Sequence, residues 1–269
     1  MKIDSNNLLM GDNIVQLDCP VSHSNFKPKL PDTIIIHYTA GSSAESSARY
    51  LCNEPRVSAH IVIGRQGEIF QIVPFSQIAY HAGNSFYGNR TQLNKYSIGI
   101  ELDNAGILKK TGNEYQAWFG AKYQSGDVIQ AIHRNESSPR YWHIYTKDQI
   151  AVCRDVCSLL IEKFNIKNIL GHEEISPGRK QDPGPAFPLD KLRNNLLYGN
   201  RSDDSDMIDK QGVVTANHLN IRSGSGVEFD KIAMPLTKGT EVKIVEEKDG
   251  WYRVETRITG WVGKAFISS

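Results

Sequence analysis

The chain has 269 residues, a length that accommodates two domains or one large one with a sizeable core. Hydrophobic residues at 39% and charged residues at 23%, with 22 Gly and 11 Pro, exclude collagen-like, low-complexity and wholly disordered classes. The 31 Lys and Arg against 30 Asp and Glu leave a net charge of +1, so the balance gives no reason to expect nucleic acid as a partner.

From the N-terminus onward, no apolar run approaches the roughly 20 residues of a membrane-spanning helix. Asp4 and Asp12 interrupt what would be the apolar stretch of a secretory signal, which predicts either an intracellular form or a signal removed before Met1. Residues 1–30 lack periodicity and carry Pro20 and Pro28, so they are expected to form an arm over the surface. The run Thr33–Ile36 is β-branched, as in a strand buried on both faces, and it ends at His37. Ala44, Ala48 and Leu51 recur at helical spacing within 43–53. Residues 59–64 and 68–73 flank Arg65-Gln66-Gly67 and read as a hairpin. In 96–103, Tyr96, Ile98 and Ile100 alternate with Ser97, Gly99 and Glu101, which leaves the Glu101 carboxylate in open space.

Residues 104–147 read as an irregular insertion of one hairpin and a loop, with Trp118, His133 and Trp142 expected mainly to pack. Thr146 and Gln149 make a capping box, followed by Ile150, Cys153, Cys157, Leu160 and Ile161 at the helical period. Four cysteines without a C-x-x-C do not make a disulfide scaffold, and Cys153 and Cys157 read as small buried hydrophobes. Residues 168–171 form a short strand running into His172, and Pro188 opens a last helix. Residues 199–211, with Asp203, Asp204, Asp206 and Asp209, read as a solvated acidic linker. Beyond it, 212–269 alternates in short strands and predicts a small all-β barrel. Its Gly-rich 222–226 has no helix after it and reads as a turn rather than a phosphate loop.

His37 and His172 follow strands and Glu101 ends one, and in sheets with parallel strands ligands gather at the carboxyl edge. A Pro- and Gly-stiffened loop after His172 holds Lys180 and Asp182 close to that edge. Two imidazoles and one carboxylate with an open fourth position are the ligand set of catalytic zinc.

The segments Ile34-Ile-Ile-His37-Tyr-Thr, Ser97-Ile-Gly-Ile-Glu101-Leu and Gly171-His172-Glu-Glu-Ile-Ser-Pro-Gly-Arg-Lys180-Gln-Asp182-Pro-Gly-Pro together resemble the zinc-dependent N-acetylmuramoyl-L-alanine amidase type 2 family, to which peptidoglycan recognition proteins are related. The resemblance covers about residues 30–198 and its third motif is the most specific. It implies an α/β fold with a mixed central β-sheet flanked by helices, and a catalytic domain over 1–198. It further implies one Zn2+ on His37, His172 and Asp182, with Glu101 assisting the attacking water and Lys180 beside the developing oxyanion. The reaction implied is cleavage of the amide between N-acetylmuramic acid and L-alanine in peptidoglycan or muropeptides. His81, in Tyr80-His-Ala-Gly-Asn84, resembles a family motif bordering the substrate groove. His60 joins it as an expected substrate contact if its strand is antiparallel. Residues 212–269 resemble a bacterial SH3 domain through Leu219-Asn-Ile221-Arg-Ser-Gly-Ser-Gly226, Gly250-Trp-Tyr-Arg-Val254 and Gly260-Trp261-Val262, which implies a hold on the cell wall. A muropeptide-binding protein that does not cut, and a zinc peptidase acting on the stem peptide, are the competing readings.

Overall fold

A computed structural model of the chain describes residues 1–112, 114–197, 210–227, 229–248 and 251–256. The chain divides into two units, Met1–Asn200 and Arg201–Ser269. In chain order the first unit contains β1 (Lys2–Ile3), β2 (Leu9–Met10), β3 (Ile14–Gln16), β4 (Thr33–Tyr38), α1 (Ala44–Asn53), β5 (Ile61–Ile63), β6 (Ile69–Gln71), β7 (Phe86–Tyr87), β8 (Arg90–Thr91) and β9 (Ser97–Leu102). It continues through β10 (Ile107–Thr111), β11 (Glu114–Gln116), β12 (Lys122–Tyr123), β13 (Val128–Ile132), β14 (Pro139–His143), α2 (Lys147–Phe164), β15 (Asn168–Gly171), α3 (His172–Ile175) and α4 (Leu189–Leu197).

The β-branched run of β4 sits inside a six-stranded sheet of order β15-β4-β9-β5-β6-β3. Strands β15, β4, β9 and β5 are parallel, and β6 turns back antiparallel on β5, so the sheet is mixed. Both faces are covered, which is why β4 carries no polar alternation until His37. On one face Ile34, Ile36, Ile98 and Ile100 pack with Cys153, Val156, Cys157 and Leu160 of α2. The capping box is present as expected: the Thr146 hydroxyl accepts from Gln149 N–H at 3.1 Å, and the Gln149 side chain accepts from Thr146 N–H at 3.1 Å. On the other face α1, capped by Ser43, lays Ala44, Ala48 and Leu51 against Val62 and Val73. Each fully buried aliphatic side chain in these layers stabilises the fold by about 1.5–3 kcal/mol.

Two expectations are corrected. Residues 1–30 are more than a surface arm: β3 pairs in parallel with β6 as the outermost strand, Leu9 is fully buried, and a disulfide joins Cys19 to Cys52 of α1. Three-residue strands are too short for period-2 patterning to reveal, and spacing alone does not disclose a pairing across 33 residues. The insertion, expected as one hairpin and a loop, is a five-stranded antiparallel sheet of order β12-β11-β10-β14-β13, with Ala105, Leu108 and Ala117 in its own small core. Trp142 is buried there, its ring stacked at 5.6 Å on His133.

The second unit has β16 (Lys210–Val213), β17 (His218–Leu219), β18 (Leu236–Thr237), β19 (Glu241–Lys248) and β20 (Trp251–Glu255). All its pairings among the described residues are antiparallel, and Val214, Leu236 and Val242 form its core with Ile221 and Val254 against them. Residues 199–209 of the expected 199–211 linker, and the turn and strand signals at Asp249-Gly250 and Gly260–Val262, lie outside the described residues, whereas Lys210 and Gln211, expected in the linker, open β16.

Candidate metal centre and cleft

Parallel register brings the predicted residues to one edge. His37 of β4 lies directly opposite Glu101 of β9, and Gly171 of β15 lies opposite Ile36, so His172 leaves its strand level with His37. Asp182 reaches the same point from the loop after α3, whose path is fixed by Glu173 N–H donating to the Asp182 carbonyl at 2.8 Å. The result is a triangle of buried atoms: His37 Nδ1, His172 Nδ1 and Asp182 Oδ2 each stand 2.9 Å from the other two.

The chemistry of this triangle fits a cation. His172 Nε2 lies 3.2 Å from the Ala82 carbonyl, which can only accept, and 3.4 Å from the Arg179 guanidinium, which can only donate; the shorter contact assigns the ring proton to Nε2, so that the Nδ1 lone pair faces the centre. The Nε2 of His37 is likewise engaged outward, 3.0 Å from His81 Nδ1. Burial, then the neighbouring His172, pushes the His37 pKa down to about 4, which keeps the ring neutral as a ligand must be. Lone-pair atoms held this close need a positive charge between them. A tetrahedral ion with bonds of about 2.0–2.1 Å sets its ligands about 3.3 Å apart, within a small adjustment of the spacing present. Thus His37, His172 and Asp182 could hold a metal ion.

Around this centre is a cleft of about 820 Å³ that Glu101 and Lys180 also line. Glu101 Oε2 is fully buried and has no hydrogen-bonding partner among the described residues. Burial, with the Asp182 charge adding to it and Lys180 opposing, pushes the Glu101 carboxyl up to about 8. A carboxyl tuned upward with one free oxygen is suited to proton transfer near neutral pH. Lys180 is half-buried, its backbone N–H fixed 3.0 Å from the Ser176 carbonyl.

His81 lines the cleft behind His37, whereas His60 does not reach it. The premise for His60 fails because β5 runs parallel to β9, not antiparallel. Its ring is fully buried, with Nε2–H donating to Gln77 O at 2.8 Å and Nδ1 accepting from Gly99 N–H at 3.0 Å. Sequence reasoning passes over Glu173 and Arg179. Glu173 is buried and receives His133 Nε2 at 2.6 Å, Arg134 at 2.9 Å and Gly184 N–H at 3.1 Å, which ties the metal loop to the second sheet. Arg179 staples that loop to the carbonyls of Ala82 and Asn84 at 3.0 and 2.9 Å. Both lie inside the third motif, so spacing marked the stretch but not these roles. Trp118, expected to pack, is instead 79% exposed at the cleft rim, its indole N–H donating to Ala40 O at 2.8 Å.

Residues 27–185 match the family model of N-acetylmuramoyl-L-alanine amidases, over more than half of the chain. The chain belongs to the N-acetylmuramoyl-L-alanine amidase family. This is a family of metal-dependent amidases, in keeping with the His, His, Asp triangle. The N-acetylmuramoyl-L-alanine amidase AmiD of Escherichia coli K12 is 33% identical over 168 residues, 59% of this chain and 51% of AmiD. The 1,6-anhydro-N-acetylmuramyl-L-alanine amidase AmpD of the same strain is 38% identical over 138 residues, 51% of this chain and 57% of AmpD. The match thus spans about half the length of these curated relatives. A crystal structure of a selenomethionine AmpD derivative is 27% identical, covers 71% of this chain and 97% of that one, and superposes with a TM-score of 0.50. Residues 217–268 match the bacterial SH3 domain model, which bears out the all-β reading of the second unit.

Proposed function

We propose that the chain is a zinc-dependent amidase that hydrolyses the amide between N-acetylmuramic acid and L-alanine in peptidoglycan or its muropeptide fragments. The observation that carries this reading is the convergence of His37, His172 and Asp182 beside an unpartnered buried oxygen of Glu101. The matched relatives' names, which specify muramyl-L-alanine amides, support the substrate class. Zinc bound by the triangle supplies Lewis acidity, which acidifies water and polarises an amide carbonyl. Glu101 accepts the proton of the attacking water and returns it to the leaving amine of L-alanine, a role its unpartnered oxygen on the cleft wall suits. Lys180 places its ammonium beside the oxygen that gains charge, a contribution worth about 2.7–4 kcal/mol for a well-placed donor. The second unit, with its SH3-type sequence, is proposed to hold polymeric wall, and the segment between the units to act as an acidic linker.

Metal analysis of the full chain, with mass spectrometry of the fragments released from a soluble muropeptide and from sacculi, tests the reading. Stoichiometric zinc, loss of turnover on chelation, and release of intact stem peptide with L-alanine at its new amino terminus are expected. Cleavage within the stem peptide would make it a zinc peptidase instead. Tight muropeptide binding without cleavage in zinc-loaded protein would make it a recognition protein.

A further inference from the structure

Resting on the metal-site reading above, a second layer behind the triangle has its own logic. The ring of His81 bridges one acceptor and one donor. Its Nε2 faces the Ser97 carbonyl at 3.2 Å, and a carbonyl cannot donate, so the proton sits on His81 Nε2. His81 Nδ1 is then a bare acceptor, and the group 3.0 Å from it, His37 Nε2, must be the donor. That assignment pushes the remaining lone pair of His37 to Nδ1, the atom in the triangle. The two rings meet edge to face, with centroids 5.1 Å apart and an interplanar angle of 82°, as an in-plane N–H aimed at a neighbouring ring nitrogen allows.

The next residue performs the same service for the other imidazole: the Ala82 carbonyl, at 3.2 Å the nearer of the two partners of His172 Nε2 (Arg179 stands at 3.4 Å), assigns the proton to that nitrogen. Consecutive residues 81 and 82 therefore control both histidines. Their backbone is pinned from one side chain: Asn94 Oδ1 accepts from His81 N–H at 3.0 Å and from Ala82 N–H at 2.7 Å. Strand β9 is shaped to admit the ring. A Cβ at Gly99 would stand 2.4 Å from His81 Cγ, so the bare backbone there is a requirement of His81. His81 reaches the cleft wall with only 6% of its surface exposed, and both its ring nitrogens are engaged within the protein, so neither is free for a substrate.

We infer that Asn94 and His81 are positioning residues of the metal centre: Asn94 clamps the segment His81–Ala82, which in turn sets the tautomer and ring plane of both His37 and His172. Outer partners of this kind typically change metal affinity by about 10–100-fold. Asn94 is a strong test because it touches neither the triangle nor the residues assigned to catalysis, and because Asn94→Asp keeps the accepting oxygen.

The experiment measures the zinc dissociation constant of the full chain by competition with a chromogenic chelator, for the unaltered protein, His81→Phe, Asn94→Ala and Asn94→Asp. Alongside it, long-range 15N NMR of the unaltered protein reads the histidine tautomers. Expected are a weakening of about 10–100-fold for His81→Phe and Asn94→Ala, near-normal affinity for Asn94→Asp, and Nε2–H tautomers for His37, His81 and His172. Affinities within twofold of the unaltered protein in Asn94→Ala, or a proton on His81 Nδ1, would overturn the inference even if His81→Phe did not fold. No zinc uptake by the unaltered chain would overturn the metal-site reading itself, and this inference with it.

Discussion

At the residue scale, Glu101 and Lys180 are separable from the metal because neither is part of the triangle. Glu101→Gln keeps the shape and removes the proton acceptor, and it is expected to lower kcat on a soluble muropeptide by about 10²–10⁴. Lys180→Ala is expected to lower it by about 10²–10³ with KM little changed. Zinc content by elemental analysis should stay stoichiometric in both. His60 carries a different prediction, about stability. Burial pushes its pKa down to about 4, against an ordinary 6.5. Between those values the unfolded chain binds the proton and the folded one does not, so stability is full above pH 6.5 and is lost as pH falls toward 4. From pH 7 to pH 5 this one group costs about 2 kcal/mol. Urea unfolding at the two pH values should therefore show a loss in the unaltered protein that is smaller by that amount in His60→Gln.

At the scale of elements, two tethers hold short pieces that propensity alone would not. Glu173 joins α3 to the second sheet through His133 and Arg134 and also receives Gly184 N–H. Removing one partner of a buried ionic cluster strands the others, so Glu173→Ala is expected to destabilise the first unit by about 3–5 kcal/mol, read by calorimetry. The Cys19–Cys52 bridge closes a loop of 33 residues between the N-terminal segment and α1. By loop-closure entropy it stabilises the fold by about 4 kcal/mol, and such bonds persist in oxidising compartments. Dithiothreitol should lower the urea midpoint of the unaltered protein. A Cys19→Ser, Cys52→Ser double variant should start at the lower midpoint and not respond.

For the whole molecule, each unit has a core of its own: the isoleucine layers under α2 in the first, and Val214, Leu236 and Val242 in the second. Deleting 201–269 should therefore leave a first unit that still unfolds cooperatively and binds zinc. Turnover of a small soluble muropeptide is expected to change by less than twofold. Turnover of insoluble sacculi should fall about tenfold or more, because a second attachment raises the local concentration of enzyme on a polymer. Equal retention on both substrates would remove the wall-holding role from the second unit.

The sequence by itself determined what depends on short-range chemistry and simple periods. The β-branched run before His37, the alternation around Glu101, the capping box at Thr146 and the Pro- and Gly-stiffened loop to Asp182 place strands, helix and site residues locally, and their parallel arrangement carries three of them to one edge. Tertiary structure decided everything that requires knowing which segments meet. Whether β5 runs with or against β9 is invisible in either strand's pattern, yet it alone turns His60 from the cleft into the core. The pairing of Cys19 with Cys52, and the assembly of two- to five-residue strands into a second sheet, depend on partners 20 or more residues apart or on strands too brief to show a period. The clamp of Asn94 on His81 and Ala82 is of the same kind: an ordinary polar residue acquires a role only when folding brings two backbone N–H groups to its oxygen.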